Sequence, residues 1–292
     1  MSPRLLGGLA LALASAGVLN WGFYVQHAAA ATLPTLSPRR PLASLASLFG
    51  SRRWLTGFVA GIGGWALYVG ALALAPLSLV QAASAGGIGV LALLVTAGGI
   101  RLDRRERRGV ALAALGLALL GASLVGRGTH GAQGTWIAVA AWIAVSAAAA
   151  ALAAGPLARM LAGGAGLGLA AGLLYAAGDV ATKAAVLGGA RLALVPVVLA
   201  CHGLAFVALQ LAFQRGGALA TAGVAALFTN ALPILAGTTV FAEGLGTLAP
   251  LRALAFVCVV AAATLLARPA RHEVSAAAAC LPRRDGLASL TD

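Results

Sequence analysis

The chain has 292 residues, of which 61% are apolar, 9% are charged and 5% are aromatic, and its formal net charge is +13. With a mean hydropathy of +0.97, this composition excludes an ordinary water-soluble domain and predicts a polytopic membrane protein. The positive charge does not indicate nucleic-acid binding, because the arginines stand between apolar stretches and side chains that could stack on bases are scarce.

Nine uncharged apolar stretches are predicted to be membrane spans, since a hydrocarbon core of about 30 Å requires roughly 20 helical residues. In chain order, spans one to nine cover residues 5–26, 54–74, 77–100, 109–125, 134–154, 161–185, 192–213, 218–241 and 248–266. Pro196 and Pro233 are expected to kink spans seven and eight. The predicted fold class is therefore an all-α membrane protein.

The start of the chain has features of a secretory signal, because Arg4 precedes an apolar run and the alanines at 28–31 resemble a cleavage site. The run over residues 5–26 is longer than a signal core of about 7–15 residues. It also contains Asn20 and Trp21. These features favour an uncleaved first helix.

The basic loop over residues 28–53 contains a shorter pattern. Leu42, Leu45 and Phe49 recur at helical spacing, flanked by arginine pairs at 39–40 and 52–53. Two interpretations stay open: a short amphipathic helix on the inner leaflet, where each Arg near anionic lipid adds about 1 kcal/mol, and a loop that only sets topology.

Basic residues predict the orientation, because short loops rich in Lys and Arg stay cytoplasmic. Five basic residues fall on one side of the nine-span topology: Arg4, Arg127, Lys183, Arg191 and Arg252. Fifteen fall on the other side: Arg39, Arg40, Arg52, Arg53, Arg101, Arg104, Arg105, Arg107, Arg108, Arg159, Arg215, Arg268, Arg271, Arg283 and Arg284. We therefore expect a plasma-membrane protein with its N-terminus outside and its C-terminus cytoplasmic, ending in a flexible tail over 268–292.

Spans one and six are similar to each other. Residues 8–28 read GLALALASAGVLNWGFYVQHA and residues 164–184 read GAGLGLAAGLLYAAGDVATKA, and aligning Gly22 with Gly178 places His27 on Lys183. Each span is followed by a long helix, a short turn, a long helix, a polar turn and a shorter helix. The polar turn RLDRRERR after span three carries five arginines, whereas EGLGTLAP after span eight carries none, so the two turns are expected on opposite sides.

This pattern predicts about nine transmembrane helices in two inverted four-helix repeats joined by a linker helix. The first repeat covers residues 1–126 and includes the basic loop, the linker helix covers 127–156, and the second repeat covers 157–267. Inverted repeats are typical of secondary transporters, which bind substrate near the midplane between halves that open alternately.

Two stretches carry a family resemblance: ALALAPLSLVQAASAGGIGVLALLVTAGGIRLDRRERRGVALAALGLALL and LQLAFQRGGALATAGVAALFTNALPILAGTTVFAEGL. They resemble the two halves of the drug/metabolite transporter superfamily, EamA-like, whose repeats carry a helix ending near Gly-Glu-Arg-Leu. FAEGL at 241–245 matches that ending through Glu243, whereas GIRL at 99–102 has Ile100 in place of the acid. EamA-like proteins usually have ten helices, and nine is closer to the magnesium-transporter-like (NIPA-type) branch of the superfamily.

Asp179 is the sharpest candidate for function, because a carboxylate within a membrane helix is expensive and usually lines a cavity, a proton path or an ion site. A stripe at three- or four-residue spacing leads to it along span six: Gly164, Gly168, Gly172, Tyr175, Asp179 and Lys183. The glycines predict that this face packs closely against a neighbouring helix. Asp179 and Lys183 are expected to pair at i, i+4, as part of a substrate or coupling-ion site or as a structural ion pair near the membrane surface.

Further polar residues lie within the predicted spans. They are Asn20, Gln26, His27, His202, Gln210, Gln214, Thr229 and Asn230. With Asp179, Lys183 and Tyr175, we take Asn20, Asn230 and Gln210 as candidates for substrate or ion contact, although hydrogen bonding between helices accounts for many such residues. Glu243 follows span eight and is expected to make a helix-end or inter-repeat contact rather than a midplane one.

Sequence signals for enzymatic chemistry are lacking: there is no Walker-type phosphate loop, no Gly-x-Ser-x-Gly elbow and no zinc-ligand spacing around Cys201, Cys258 or Cys280. We therefore expect no enzyme activity, no cofactor and no metal site. Three functions stay open: a proton- or ion-coupled permease for a small metabolite, a divalent-cation transporter, and a non-transporting scaffold or accessory subunit. The partners expected are the lipid bilayer and a small-molecule or ion substrate, with a homodimer left open and no nucleic acid.

Overall fold

The computed structural model describes residues 3–37, 40–123, 134–161, 164–243 and 250–267, and all regular secondary structure in these ranges is helical. The α-helices are α1 (Pro3–Ala30), α2 (Pro41–Phe49), α3 (Arg52–Leu74), α4 (Leu77–Ser84), α5 (Gly87–Ala97), α6 (Arg104–Ala122), α7 (Trp136–Ala154), α8 (Ala165–Ala185), α9 (Val195–Phe213), α10 (Val224–Thr239) and α11 (Leu251–Leu266). Two 3₁₀ helices (Leu157–Arg159 and Gly189–Leu194) and one π-helix (Leu219–Gly223) complete the set. The predicted tail over 268–292, Cys280, and the segments 124–133 and 244–249 lie outside the described residues.

Seven helical segments of the described chain are long and apolar enough to cross a membrane. They are Pro3–Ala30, Arg52–Leu74, Leu77–Ala97, Trp136–Ala154, Ala165–Ala185, Gly189–Phe213 and Leu219–Thr239. Predicted spans four and nine also form helices, but α6 begins with five charged residues and α11 has only 16 residues. The chain is therefore an all-α, multi-pass membrane protein with seven clear spans in the described ranges.

Local chemistry explains two helix boundaries that differ from the predicted ones. α6 begins at Arg104, five residues before the predicted span, because Asp103 and Glu106 form a capping box in which each side chain accepts a hydrogen bond from the other's backbone N–H, at 2.7 and 2.9 Å. Pro196, which was expected to kink span seven, does not lie in the interior of an α-helix of that span. Pro196 lies in the first turn of α9, where the backbone N–H that proline lacks has no partner within the helix. Pro233 does lie inside α10, as predicted.

The third predicted span is two helices rather than one. α4 ends at Ser84 and α5 begins at Gly87, with a turn over residues 85–86. A Cβ at Gly87 would overlap the side-chain amide of Asn20, so the glycine gives the α1 amide room to lie at the break. The break therefore places a polar side chain of α1 against the middle of this span.

The short amphipathic pattern in the basic loop forms α2, which confirms its helical interpretation. Pro41 occupies the first turn, where proline is favoured, and Leu42, Leu45 and Phe49 are exposed. Other apolar side chains of this region are buried: Leu48 and Trp54 pack in a cluster with Ala29 of α1.

α8 lies at the centre of the bundle and packs against α7, α9 and α10. A Cβ at Gly168 would lie 2.7 Å from the Thr221 carbonyl oxygen, and one at Gly172 would lie 2.7 Å from the Ala225 carbonyl oxygen. Helix backbones approach each other this closely only where glycine removes the side chain. The prediction that the glycine stripe packs against a neighbouring helix is confirmed.

Candidate functional site

A cavity of about 360 Å³ lies among α1, α3, α4, α8, α9 and α10. Its wall is mostly apolar and rich in aromatic rings, contributed by Phe23, Phe58, Trp65, Tyr68, Tyr175 and Phe206. Ligand sites in proteins typically have volumes of about 300–1,000 Å³ and apolar walls with a few placed polar groups. This cavity therefore has the size and lining of a site for one small molecule.

Asp179 supplies the acid in the wall of this cavity; no other Asp or Glu lines it within the described ranges. Its side chain is only 5% exposed. Oδ2 accepts a hydrogen bond from Gln81 Nε2 at 2.9 Å, and Oδ1 lies 3.5 Å from His202 Nε2. Gln81 Nε2 also donates to the hydroxyl of Tyr68 at 2.6 Å. Three helices, α3, α4 and α9, thus converge on one carboxylate of α8.

The hydrogen bonds of His202 restrict where a proton can lie. Nδ1 lies 3.0 Å from the backbone carbonyl of Val198, which only accepts, so Nδ1 carries a hydrogen and donates it. A neutral imidazole with that tautomer presents the lone pair of Nε2 to the carboxylate of Asp179. A hydrogen bond between Nε2 and the carboxylate requires one more proton, either on His202 Nε2 or on Asp179. His202 and Asp179 can therefore share one proton, in which case the pair carries no net charge.

The predicted pair of Asp179 with Lys183 is not formed. Lys183 Nζ instead donates to the carbonyl oxygens of Leu72 at 2.9 Å and Ala75 at 3.0 Å. The helix cannot supply a donor to Leu72 itself, because the residue four positions later is Pro76, which has no N–H. A cation at this end of α3 also complements the helix dipole.

Glu243 binds the turn between α3 and α4 from the α4 side. Its carboxylate accepts from the backbone N–H groups of Leu77 at 3.0 Å and Ser78 at 3.3 Å, and from the Ser78 hydroxyl. These are first-turn donors of α4, whose N-cap residue, Pro76, has no side-chain acceptor. Glu243 is therefore a helix-end contact between distant segments, as its position after span eight predicts. We call the contacts of Lys183 and Glu243 with this turn the turn clamp.

Gln210 lies in a layer of side-chain hydrogen bonds at the opposite end of the bundle. Its Nε2 donates to Gln26 Oε1 at 2.5 Å, and its Oε1 accepts from Trp54 Nε1 at 2.9 Å. Gln26 Nε2 in turn donates to the Gly57 carbonyl at 3.0 Å. We call these three side chains the amide layer. Gln26 lines the cavity and Gln210 does not, so the amide layer borders the cavity at this end.

Four of the six predicted site residues line the cavity: Asp179, Tyr175, Asn20 and Asn230. The amides of Asn20 and Asn230 each donate from Nδ2 to the carbonyl four residues earlier, at 2.8 and 2.7 Å. Asn20 Oδ1 is buried without a partner, which leaves an acceptor available to a ligand. Lys183 and Gln210 do not line the cavity. Lys183 belongs to the turn clamp and Gln210 to the amide layer, at opposite ends of the bundle.

The sequence analysis missed Trp65, Tyr68, Gln81 and Ser84 as cavity residues. Gln81 could have been found by the criterion applied to Asn20, because it is an amide inside an apolar span. Trp65 Nε1 and Ser84 Oγ are buried without a partner, like Asn20 Oδ1. Unpaired buried polar atoms are uncommon in proteins, and three at one cavity indicate that water or a ligand completes them.

No group of three or more His, Cys, Asp or Glu residues in the described ranges could hold a metal ion. Cys201 and Cys258 are buried and free. Comparison of the chain with protein-family models, curated proteins and solved structures finds no match. The interpretation of the site therefore depends on the geometry of this chain.

Proposed function

We propose that this chain is a secondary-active permease of the drug/metabolite transporter type, which moves a small molecule across the plasma membrane by alternating access and couples this to a proton or ion at Asp179. The observation that carries the proposal is the apolar cavity with one buried, multiply contacted carboxylate in its wall. Buried acids inside membrane bundles are costly and mark substrate or ion pathways.

The helix contacts support two repeats of inverted topology with nine helices in all. α1 packs against α3, α4 and α5, and α8 packs correspondingly against α9, the π-helix and α10. Gly22 contacts the backbone of α3 at Gly57, and its aligned partner Gly178 contacts α9 at Cys201 and His202. α6 and α11, the last helices of the proposed repeats, pack against each other. Together with the arginine distribution, this supports an outside N-terminus and a cytoplasmic C-terminus.

The cavity lies between two closures that each link the proposed repeats. The turn clamp connects Lys183 and Glu243 to the turn between α3 and α4, and the amide layer connects Gln210 to α1 and α3. Alternating access requires closures on both sides of a central site. The arrangement supports a conformation in which contacts between the proposed repeats lie on both sides of the cavity.

The two other functions have less support. A dehydrated divalent cation requires several oxygen ligands, and the described cavity wall provides one carboxylate. A scaffold would not need a cavity with unpaired polar atoms, lined by α1, α8, α9 and α10 as a permease predicts.

A binding and transport experiment tests the proposal. Purified protein is screened by thermal shift against amino acids, nucleobases, organic cations and Mg²⁺ at pH 6 and pH 8, and each hit is assayed by counterflow in proteoliposomes. We expect counterflow of one organic class that is lost in Asp179→Asn. Asp103→Asn is the matched control, because it makes the same change at a helix cap where Asn is as favourable as Asp. Stabilisation by Mg²⁺ alone, or no counterflow of any compound, contradicts the proposal.

A further inference from the structure

We propose that the cavity binds an organic monocation, an ammonium group on an apolar or aromatic body without a carboxylate, and that this cation displaces the proton held between Asp179 and His202. The transport of that cation rests on the proposed permease function, whereas its binding does not.

The charges of the cavity wall favour a cation. Asp179 and His202 are the groups in the described lining that can be charged near neutral pH, and no Lys or Arg joins them there. Lys183 is directed to the carbonyls of the turn clamp instead. A ligand carboxylate would therefore enter a low-dielectric cavity next to Asp179 without a cation of the protein to pair with. A ligand ammonium group would instead form an ion pair with the Asp179 carboxylate.

Aromatic rings already surround a group that can be cationic. The ring centres of Trp65 and Tyr175 lie 5.5 and 5.7 Å from that of His202. Cations are attracted to aromatic faces within about 6 Å, and more strongly where water is excluded. Both rings also line the cavity, so they lie where a ligand cation bound in it could contact them. The remaining apolar wall suits the body of such a ligand.

The exchange balances in charge and in protons. With the proton bound, His202 and Asp179 together are neutral, as an imidazolium and carboxylate or as an imidazole and carboxylic acid. When the ligand cation binds the carboxylate, the proton leaves to solvent and His202 stays neutral, so the cavity remains neutral. No bond other than that to the proton is broken.

Other titratable groups lie around Asp179, and one of them is the thiol of Cys201 on α9, next to Gly178. Tyr68 of α3 and Tyr175 of α8 lie beside it, and Lys183 and Glu243 belong to the turn clamp. α4, α7 and α10 contribute no Asp, Glu, His, Lys or Arg. One proton is therefore expected to leave for each cation that binds.

Calorimetric titration of the full chain in nanodiscs tests the proposal. The probe is benzyltrimethylammonium, whose charge is permanent, so any released proton comes from the protein. Titrations at pH 7 in two buffers with different ionisation heats give the number of protons released. Phenethylamine and phenylalanine form a matched pair that differs by one carboxylate, and benzyl alcohol tests a neutral ring.

We expect benzyltrimethylammonium and phenethylamine to bind, with about one proton released per benzyltrimethylammonium and an affinity that falls up to about tenfold per pH unit on acidification. Phenylalanine and benzyl alcohol are expected to bind at least about tenfold more weakly. Asp179→Asn should lose the cation, whereas Asp179→Glu, which keeps the charge, and Asp103→Asn should retain it. The wild-type comparison decides the question even where Asp179→Asn does not fold.

Equal binding of phenylalanine or benzyl alcohol, or cation binding without proton release, overturns the inference. If a zwitterion or neutral solute shows counterflow that depends on Asp179, the substrate class is wrong and the permease function stands. If the cation binds as expected but no solute shows counterflow, the cation site stands and the permease function is wrong.

Discussion

Replacing Lys183 with methionine tests the turn clamp. The ammonium group donates to the carbonyl oxygens of Leu72 and Ala75, and Met keeps the length of the side chain without a donor. Leu72 has no other source of a donor within its helix, because Pro76 lacks an N–H. Leaving a buried acceptor unpaired costs about 1–3 kcal/mol, so two carbonyls in this half-buried position predict a loss of about 2–4 kcal/mol.

The loss is measured as a change in Tm of the purified protein in detergent. At about 2–4 °C per kcal/mol for a chain of this size, we expect Lys183→Met to lower Tm by about 4–16 °C. Arg4→Met is the control, because it removes an exposed cation near the same end of the bundle. Lys183→Arg should keep most of the stability, since it retains the donors. A Tm for Lys183→Met within about 1 °C of that of Arg4→Met would refute the assigned contacts.

Three further predictions concern close contacts. A Cβ at Gly178 overlaps the ring of His202, so Gly178→Ala should displace the ring and reduce proton release on cation binding by half or more, measured by the same calorimetry. Lys183 is the only lysine in the sequence, so an amine-reactive reagent should label it slowly in the wild type and several-fold faster in Glu243→Gln, as measured by mass spectrometry. Gly172→Ala should lower Tm by at least about 5 °C, because its methyl group would lie 2.7 Å from a backbone oxygen that cannot move aside.

Each of these has a result that would contradict it. Gly63→Ala is the control for both glycine variants, because nothing lies within 4 Å of a Cβ at Gly63 and alanine favours a helix interior. If Gly172→Ala matches it in Tm, the close packing of α8 is wrong. Unchanged proton release in Gly178→Ala would show that His202 does not take part in binding the proton. Equal labelling rates in the wild type and Glu243→Gln would show that Glu243 does not stabilise the turn clamp.

Apolar length and helix-end chemistry made the spans predictable. The seven clear spans appear where uncharged runs predict them, and Asp179 is identified by its cost in an apolar helix. The break between α4 and α5 was not predictable in this way, because it depends on how the Asn20 amide of α1 lies against Gly87. Helix periodicity describes one helix at a time and carries no information about which helices meet.

Side-chain partners were predicted less well for the same reason. The i, i+4 rule suggested Lys183 as the partner of Asp179, but the carbonyls of a proline turn distant in sequence take the ammonium instead. His202 and Gln81, which do contact Asp179, lie on other helices and become its neighbours only through packing. The sequence therefore identifies the carboxylate, and the fold determines its chemistry.

The close packing of α8 restricts which parts of the protein could move. The buried share of the membrane-spanning stretch is 72% in α8 and in Leu219–Thr239. It is only 33% in α1, 28% in α3 and 22% in Gly189–Phe213. α8 cannot slide along its neighbour without forcing backbone atoms together at Gly168 and Gly172. We therefore expect the lipid-facing helices to move around a stationary α8. In the proposed permease, Asp179 would keep its depth in the membrane while the barrier to solvent passes from one side of it to the other.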